Sequence, residues 1–415
     1  MRTPFFIALL AIGLGLSGCT SLGPQTLDHA RLQYNEVIKR TTEEQLLLNI
    51  VRLRYTDTPS SLAVSAIAAQ FERSQSVGLL PFFTAAGGDL NRSFTAVLPQ
   101  AQIMGADRPT FSLTPLDDQE FTRKLFTPLP LDGVIYLAKT TWPISKVFRL
   151  YLENLNWVPN AETASGPTPR LAPPVDDFLR GIAALQSLQD RGALVFGMAE
   201  QEETLGGALP AGAVSARDLI EAARNGMEYR PDASGRHWRL LRRNSYPVVR
   251  IAPDQLDSPD ARTFAEVFRL RRGASEFRLT QEALSPFRAA QPADGLTHLD
   301  LETRSLLQAL YYVSHGVEVP AAHRARGLVT VTRDGAGRDF DWQQVMGELF
   351  QVRSQPGAER PANAHVAVKY KDHWFYVDEA DQDSKSTFSL LVELSRLELT
   401  GKSGPGPQLT LPIGR

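Results

Sequence analysis

The chain has 415 residues, of which 43% are hydrophobic and 22% charged, with a formal net charge of −2. That balance excludes wholesale disorder, supplies apolar material for two domains or one large one, and gives no basic surplus to steer the protein toward nucleic acid. The only cysteine is Cys19, so no internal disulfide is possible and the fold rests on core packing.

Residues 1–19 read MRTPFFIALLAIGLGLSGC: one positive charge, an apolar run over 5–16, then small residues before the cysteine. The run has roughly a dozen apolar residues where a spanning helix needs about 20, so residues 1–18 are read as a cleaved signal peptide. Leu16, Ser17, Gly18 and Cys19 resemble a lipobox. Leu16 would seat in an apolar pocket, Ser17 and Gly18 leave the backbone open to a peptidase, and Cys19 supplies the thiol for a diacylglycerol thioether. Two or three acyl chains, at about 0.8 kcal/mol per buried CH₂, hold such a protein on the bilayer permanently. Thr20 follows the cysteine where the resemblance would place Asp in a protein kept at the inner membrane. The expected location is therefore the outer membrane, lipid-anchored and facing the periplasm. Residues 19–26 form a short tether, which keeps the body close to the lipid.

Over 27–55 apolar residues recur at helical spacing, with Thr41 to Glu44 as an internal cap, which predicts two helices or one bent one closed by Asp57-Thr58-Pro59. Residues 61–115 turn to alternating and β-rich patterns around Gly87-Gly88-Asp89, predicting an antiparallel hairpin array. Helices return over 117–126, 131–140 and 144–154, completing an N-terminal α+β lobe over 27–158. The proline- and glycine-bearing stretch 159–174 is the expected linker, and 175–415 the C-terminal α+β lobe. There the pattern predicts a helix over 175–191, a strand over 193–198, a loop over 200–212 and a helix from about Ser215. Strands over 237–242 and 247–251, a helix over 259–270 and a strand over 276–280 follow. A helix is expected over 299–314, a hairpin of 364–370 with 373–377 around Lys371-Asp372, and a terminal helix over 385–399 ending at Gly401. Helices and strands mix without βαβ rhythm, so the fold class is α+β, with C-terminal mixed helices and antiparallel strands.

No catalytic signature is present: no GxSxG, no Walker loop and no HExxH, and the GxGxxG string at 13–18 lies inside the leader. The seven histidines do not pair at metal-ligand spacing; His315 and His323 come closest, with Pro320 between them, and neither a metal nor another cofactor is expected. The carboxylates of Asp378, Glu379, Asp381 and Asp383 lack the glycine and distal glutamate of an EF-hand loop, and Asp381 and Asp383 are read as capping the next helix. In His373-Trp374-Phe375-Tyr376, Trp374 and Tyr376 share a strand face and form a candidate binding surface; half-buried packing explains the same alternation. The basic groups Arg239, Arg242, Arg243 and Arg269, Arg271, Arg272 are read as solvated element ends.

The run from Glu44 to Tyr55 (EQLLLNIVRLRY), the Pro109-Thr110-Phe111 to Pro128 stretch and the run from His373 to Asp378 (HWFYVD) resemble a group of uncharacterised proteobacterial lipoproteins. That resemblance implies a membrane anchor and no activity. The leading expectation is a non-enzymatic scaffold or assembly factor of the cell envelope with envelope protein partners. Two alternatives stand beside it. One is an oligomeric outer-membrane pore built from the 61–98 hairpins, whose small residues and alternating strands suit a barrel wall; against it, Phe82-Phe83 is the only strong aromatic girdle candidate and the outward face is not convincingly apolar. The other is a periplasmic hydrolase of envelope polymer using His and Asp residues of the C-terminal half.

Overall fold

The computed structural model describes residues 22–60, 62–68, 71–83, 95–107, 110–115, 119–140, 142–281 and 294–399. The fold is α+β, and the chain divides into two compact units. The first takes the described residues up to Ile38 and those between Ser60 and Asp118; the second takes Lys39–Pro59 and Gln119–Leu399.

A single uninterrupted helix, α1 (Leu22–Arg54), occupies the stretch where two helices or a bent one were expected. No glycine or proline follows Pro24 in it, and the Thr41 cap is not used. It begins inside the expected tether. Arg52 and Arg54 sit in its last turn, favourable for the dipole, and Thr56 takes a left-handed φ of 58° just beyond it.

The remainder of the first unit is one nested hairpin. β1 (Leu62–Ala68) pairs with β4 (Thr110–Pro115), and β2 (Phe71–Phe83) with β3 (Thr95–Asp107), both antiparallel. Ala68↔Thr110 and Phe71↔Asp107 share one register, and the β1–β4 ladder shifts register between Val64 and Ala66. Each sheet has two strands, with no third strand on either edge among the described residues.

In the second unit, α2 (Gln119–Phe126), α3 (Leu131–Lys139) and α4 (Ile144–Tyr151) lead into β5 (Leu152–Leu155) and β6 (Val158–Pro159). Then come α5 (Asp176–Asp190), β7 (Leu194–Pro210), α6 (Ala216–Arg224), β8 (Met227–Pro231), β9 (His237–Ile251), α7 (Pro259–Val267), β10 (Glu276–Thr280) and β11 (His298–Thr303). The order β6-β5-β11-β10-β9-β7, with β8 on β9, builds a seven-stranded sheet that is antiparallel except for the parallel pair β10 and β11. After α8 (Leu306–Ser314), α9 (Ala321–Ala325) and α10 (Gln343–Met346), the strands β12 (Arg353–Pro356), β13 (Ala364–Tyr370) and β14 (His373–Asp378) form a second antiparallel sheet. α11 (Gln382–Leu399) closes the unit. α5 lies against α7 at Gly181, where any Cβ would collide with the Phe268 ring, so only glycine permits that approach.

Three expectations need correction. Residues 200–210 continue β7 rather than forming a loop, because Glu202 pairs with Arg230 at 2.8 Å and with Arg243, which makes a polar strand stable. Residues 237–242 and 247–251 belong to the one strand β9. Residues 298–303 are strand rather than helix: Leu299 and Leu301 alternate with Asp300 and Glu302, and the helix starts only at the Ser305–Gln308 capping box. The 159–174 stretch belongs to the second unit, where Ala161 N–H donates to Pro174 O and Asn160 is fully buried.

What fixes the middle of this unit is Arg304, fully buried between β11 and α8. Its Nη1 donates to the carbonyls of Arg149 (2.9 Å), Leu150 (3.3 Å) and Leu152 (2.5 Å) at the C-terminal end of α4. Its Nη2 donates to Asn160 O (2.5 Å) and its Nε to Ser165 Oγ (2.9 Å). The guanidinium lies 3.8 Å from the centroid of the Tyr312 ring. Helix-end carbonyls have no partners of their own and carry the negative end of the dipole, so the cation caps α4 from inside the core. Burial lowers the Arg304 pKa to about 10, which leaves it charged at neutral pH. Arg304→Ala takes the side-chain donor from the carbonyls of Leu150 and Asn160 and leaves those of Arg149 and Leu152 to Asn160 Nδ2 alone; a loss of about 3–5 kcal/mol in unfolding free energy is expected by urea denaturation, with Arg304→Lys recovering only part because it lacks the planar fork.

Candidate functional site

The lipobox residues Leu16, Ser17, Gly18 and Cys19 lie outside the described residues, as does Gly401. Trp374 is half-buried and donates its indole N–H to Ala358 O at 3.3 Å; Tyr376 is 8% exposed and sits opposite Arg353 and Ala367. The four carboxylates after β14 are each engaged. Asp381 accepts from Ser384 N–H at the start of α11, Asp383 pairs with Lys146, Glu379 with Lys385, and Asp378 with Arg353. Among the described residues no three His, Cys, Asp or Glu side chains gather as metal ligands. His323 Nδ1 and the Tyr55 hydroxyl are 2.7 Å apart, and His373 lies edge-on to His323 with ring centroids 4.5 Å apart. His315 is buried elsewhere, against Trp342.

The ribbon of the first unit is one candidate functional element. From Ser74 to Phe83 and from Thr95 to Ala106 neither strand contains Asp, Glu, Lys or Arg. Register places Val77, Leu79, Pro81 and Phe83 on one face with Val97, Pro99, Ala101 and Ile103. The other face carries Ser74, Ser76, Gly78, Gln100 and Gln102, then Leu80, Phe82 and Leu98 toward the turn. At about 3.3 Å per residue, Val77 to Phe83 rises about 20 Å, and the whole charge-free run from Ser74 to Phe83 about 30 Å, which a tilt of about 40° brings near the roughly 25 Å apolar band of an outer-membrane barrel. No described helix is long and apolar enough to cross a membrane, and that fact says nothing of strands.

In the second unit a cleft of about 800 Å³ opens over the Arg304 junction. Trp157, Tyr311 and Phe126 supply aromatic wall, and Glu153, Asp300 and Glu302 supply carboxylates; no histidine lines it among the described residues. Trp157 is held there by a two-residue turn between β5 and β6, in which Asn156 and Trp157 have φ of 47° and 61°. A turn with both central residues left-handed ordinarily takes glycine second, so a tryptophan at that place stores backbone strain. Asn156 sustains it. Fully buried, it donates to Phe268 O (2.8 Å) and His298 O (3.3 Å) and accepts from Asp300 N–H (2.8 Å).

Electrostatics differ among the carboxylates. Burial raises the Glu153 pKa above the ordinary range, opposed by hydrogen bonds from Ser165 and Gln308 and by the charge of Arg304. Ser165 thus sits between Arg304 Nε and Glu153, relaying the buried charge toward the cleft. Glu162 is raised for the same first reason, with Glu302 and Glu153 adding repulsion. Asn154 donates to Glu302, and Thr280 Oγ1 donates to Asp300 at 3.0 Å. Sequence reasoning missed this cleft, although the alternating stretch 298–303 carries two of its acids.

Because the folded chain holds the Glu153 proton more tightly than the unfolded chain does, the carboxyl favours folding most in acid. That advantage is lost as pH rises through the raised folded value. Glu153→Gln, neutral throughout, should match the parent in acid and exceed it in stability above that value, in urea titrations run from about pH 4 to about pH 8.

Comparison with family models, curated proteins and solved structures finds no match for this chain.

Proposed function

We propose that this chain is an outer-membrane lipoprotein of the kind it resembles, anchored through Cys19, that works by assembly: ribbons from several copies join edge to edge into a membrane barrel. The observation that carries this reading is the β2–β3 ladder, free of charged residues from Ser74 to Phe83 and from Thr95 to Ala106, with a face that is apolar between Gln75 and Thr95 and with no third strand on either edge among the described residues. An isolated two-stranded ribbon is marginal in water, and its exposed backbone donors and acceptors demand partners. In hydrocarbon the demand is absolute, and closure into a barrel is the arrangement that leaves no edge. Strands of 13 residues exceed the roughly 9–11 that a tilted spanning strand needs. Pro81 and Pro99 each remove one donor and blunt the edges only locally. With two spanning strands per copy, the smallest barrels of about eight strands require at least four copies.

Two experiments test it. Lipidated protein extracted in detergent should form rings in electron micrographs and conduct ions in planar bilayers, while deletion of residues 71–107 should abolish both and leave the second unit folded. A monodisperse monomer with no conductance overturns the reading. Cys19→Ser should move the protein from carbonate-washed envelopes to the soluble fraction; retention in the envelope would contradict the acyl anchor.

A second reading, hydrolysis of an envelope glycan, is favoured by one observation: Glu153, whose pKa burial raises, shares an aromatic-walled cleft with Glu302, a pair of carboxyls such as glycoside hydrolysis uses. Release of reducing ends from peptidoglycan should fall by about 10²–10⁴ in Glu302→Gln. Turnover that survives in that variant rules the reading out.

A further inference from the structure

A smaller cavity of about 200 Å³ in the second unit is lined by Arg54, Arg324, His315 and Trp342. Three nitrogens on those side chains, Arg54 Nε, His315 Nε2 and Trp342 Nε1, are buried with no hydrogen-bond partner. Their residues are 7%, 3% and 8% exposed. Buried polar atoms are paired in all but a few cases, and three orphans on side chains that line one cavity suit an occupant of matching chemistry.

The chemistry is legible atom by atom. Arg54 is a buried cation whose Nη1 donates to Thr168 Oγ1 (2.8 Å) and reaches Thr330 O (3.5 Å), both neutral. It has no ion pair among the described residues, and the nearest charges felt by its guanidinium include a second cation, Arg324. A buried charge left that way costs several kcal/mol, and an anion removes the cost. Trp342 Nε1 can only donate. His315 Nδ1 lies 2.8 Å from Tyr311 O and 3.2 Å from Tyr312 O, so its proton is committed to the α8 carbonyls and Nε2 presents a lone pair. Burial, aided by Arg54, holds this imidazole neutral, with its pKa lowered to about 3. The carboxylates at the edge are engaged or exposed: Glu318 accepts from Ser354 N–H, Asp341 from Gln343 N–H, and Asp339 is exposed.

We infer that this cavity binds a protonated phosphate group, whose oxygens accept from Arg54 and Trp342 while its hydroxyl donates to His315 Nε2. Two donors beside a single acceptor distinguish hydrogen phosphate, or a phosphate monoester in the singly protonated form that is populated near and below about pH 6, from sulfate, which carries no proton and would turn an oxygen lone pair toward that of the imidazole. A phosphodiester, as in a bilayer headgroup, lacks the proton as well.

Isothermal titration of the mature full-length chain in detergent tests this with inorganic phosphate, glycerol 3-phosphate and sulfate as probes. Phosphate should bind at least about tenfold more tightly than sulfate, one charge-assisted hydrogen bond being worth about that factor. Tighter binding of glycerol 3-phosphate identifies a monoester as the natural occupant, and weaker binding identifies the free ion. Trp342→Phe keeps the ring and loses the donor, and Arg324→Gln changes an exposed side chain, so both should fold as the parent does and weaken phosphate about tenfold. No phosphate heat, equal affinity for sulfate, or unchanged affinity in both variants overturns the assignment.

Discussion

The second unit turns on a cation buried among carbonyl oxygens. Arg304 takes up the three carbonyls that α4 leaves unsatisfied at its end, adds Asn160 O and Ser165 Oγ, and lies over Tyr312. Desolvating a guanidinium is expensive, and here the expense is offset by five acceptors, of which Arg149 O and Leu152 O are shared with Asn160 Nδ2. Each side needs the other, so β5, the 160–165 segment, β11 and α8 are held at fixed distances. The cleft is a consequence of that arrangement: Glu153 follows α4, Ser165 links it to Arg304, and Glu302 precedes the arginine on β11.

The ribbon of the first unit follows the opposite rule. Its donors and acceptors are satisfied along one edge of each strand and left open along the other, with no polar network or third strand among the described residues to complete them. A body that satisfies its buried groups internally is suited to hold shape, and a ribbon that does not is suited to join copies. The acyl chains expected on Cys19 would bring such ribbons into one plane, raising their effective concentration without adding a contact.

Strain and orphaned atoms point to chemistry in the second unit. The left-handed Trp157 persists because Asn156 is held by three bonds, and the cavity at Arg54 leaves three nitrogens without partners. Both are departures from local rules, and both fall at cavities, which is where a sequence selected for more than folding departs from them.

Much of the fold was legible where local patterns and tertiary demands agree. The strand at Glu276–Thr280 follows from alternation, and the hairpin around Lys371-Asp372 follows from its flanking runs, the two residues taking φ of 46° and 66°. The Asp381 cap and the Ser215 helix start follow from side chains that bond their own backbone. Legibility failed at β7, whose Glu202 becomes strand only because Arg230 and Arg243 face it from distant positions. It failed at 298–303 because a two-leucine alternation running into an apolar helix reads as one helix until the capping box at Ser305 is weighed.

By itself the sequence determined the single cysteine at Cys19, the α+β class and the turn to strand within residues 61–115, since each rests on residue type and spacing within a short window. Only the tertiary structure decided that Arg304 and Arg54 are buried. An arginine reads as a surface residue until carbonyls from remote segments converge on it, and that convergence depends on contacts more than a hundred positions apart.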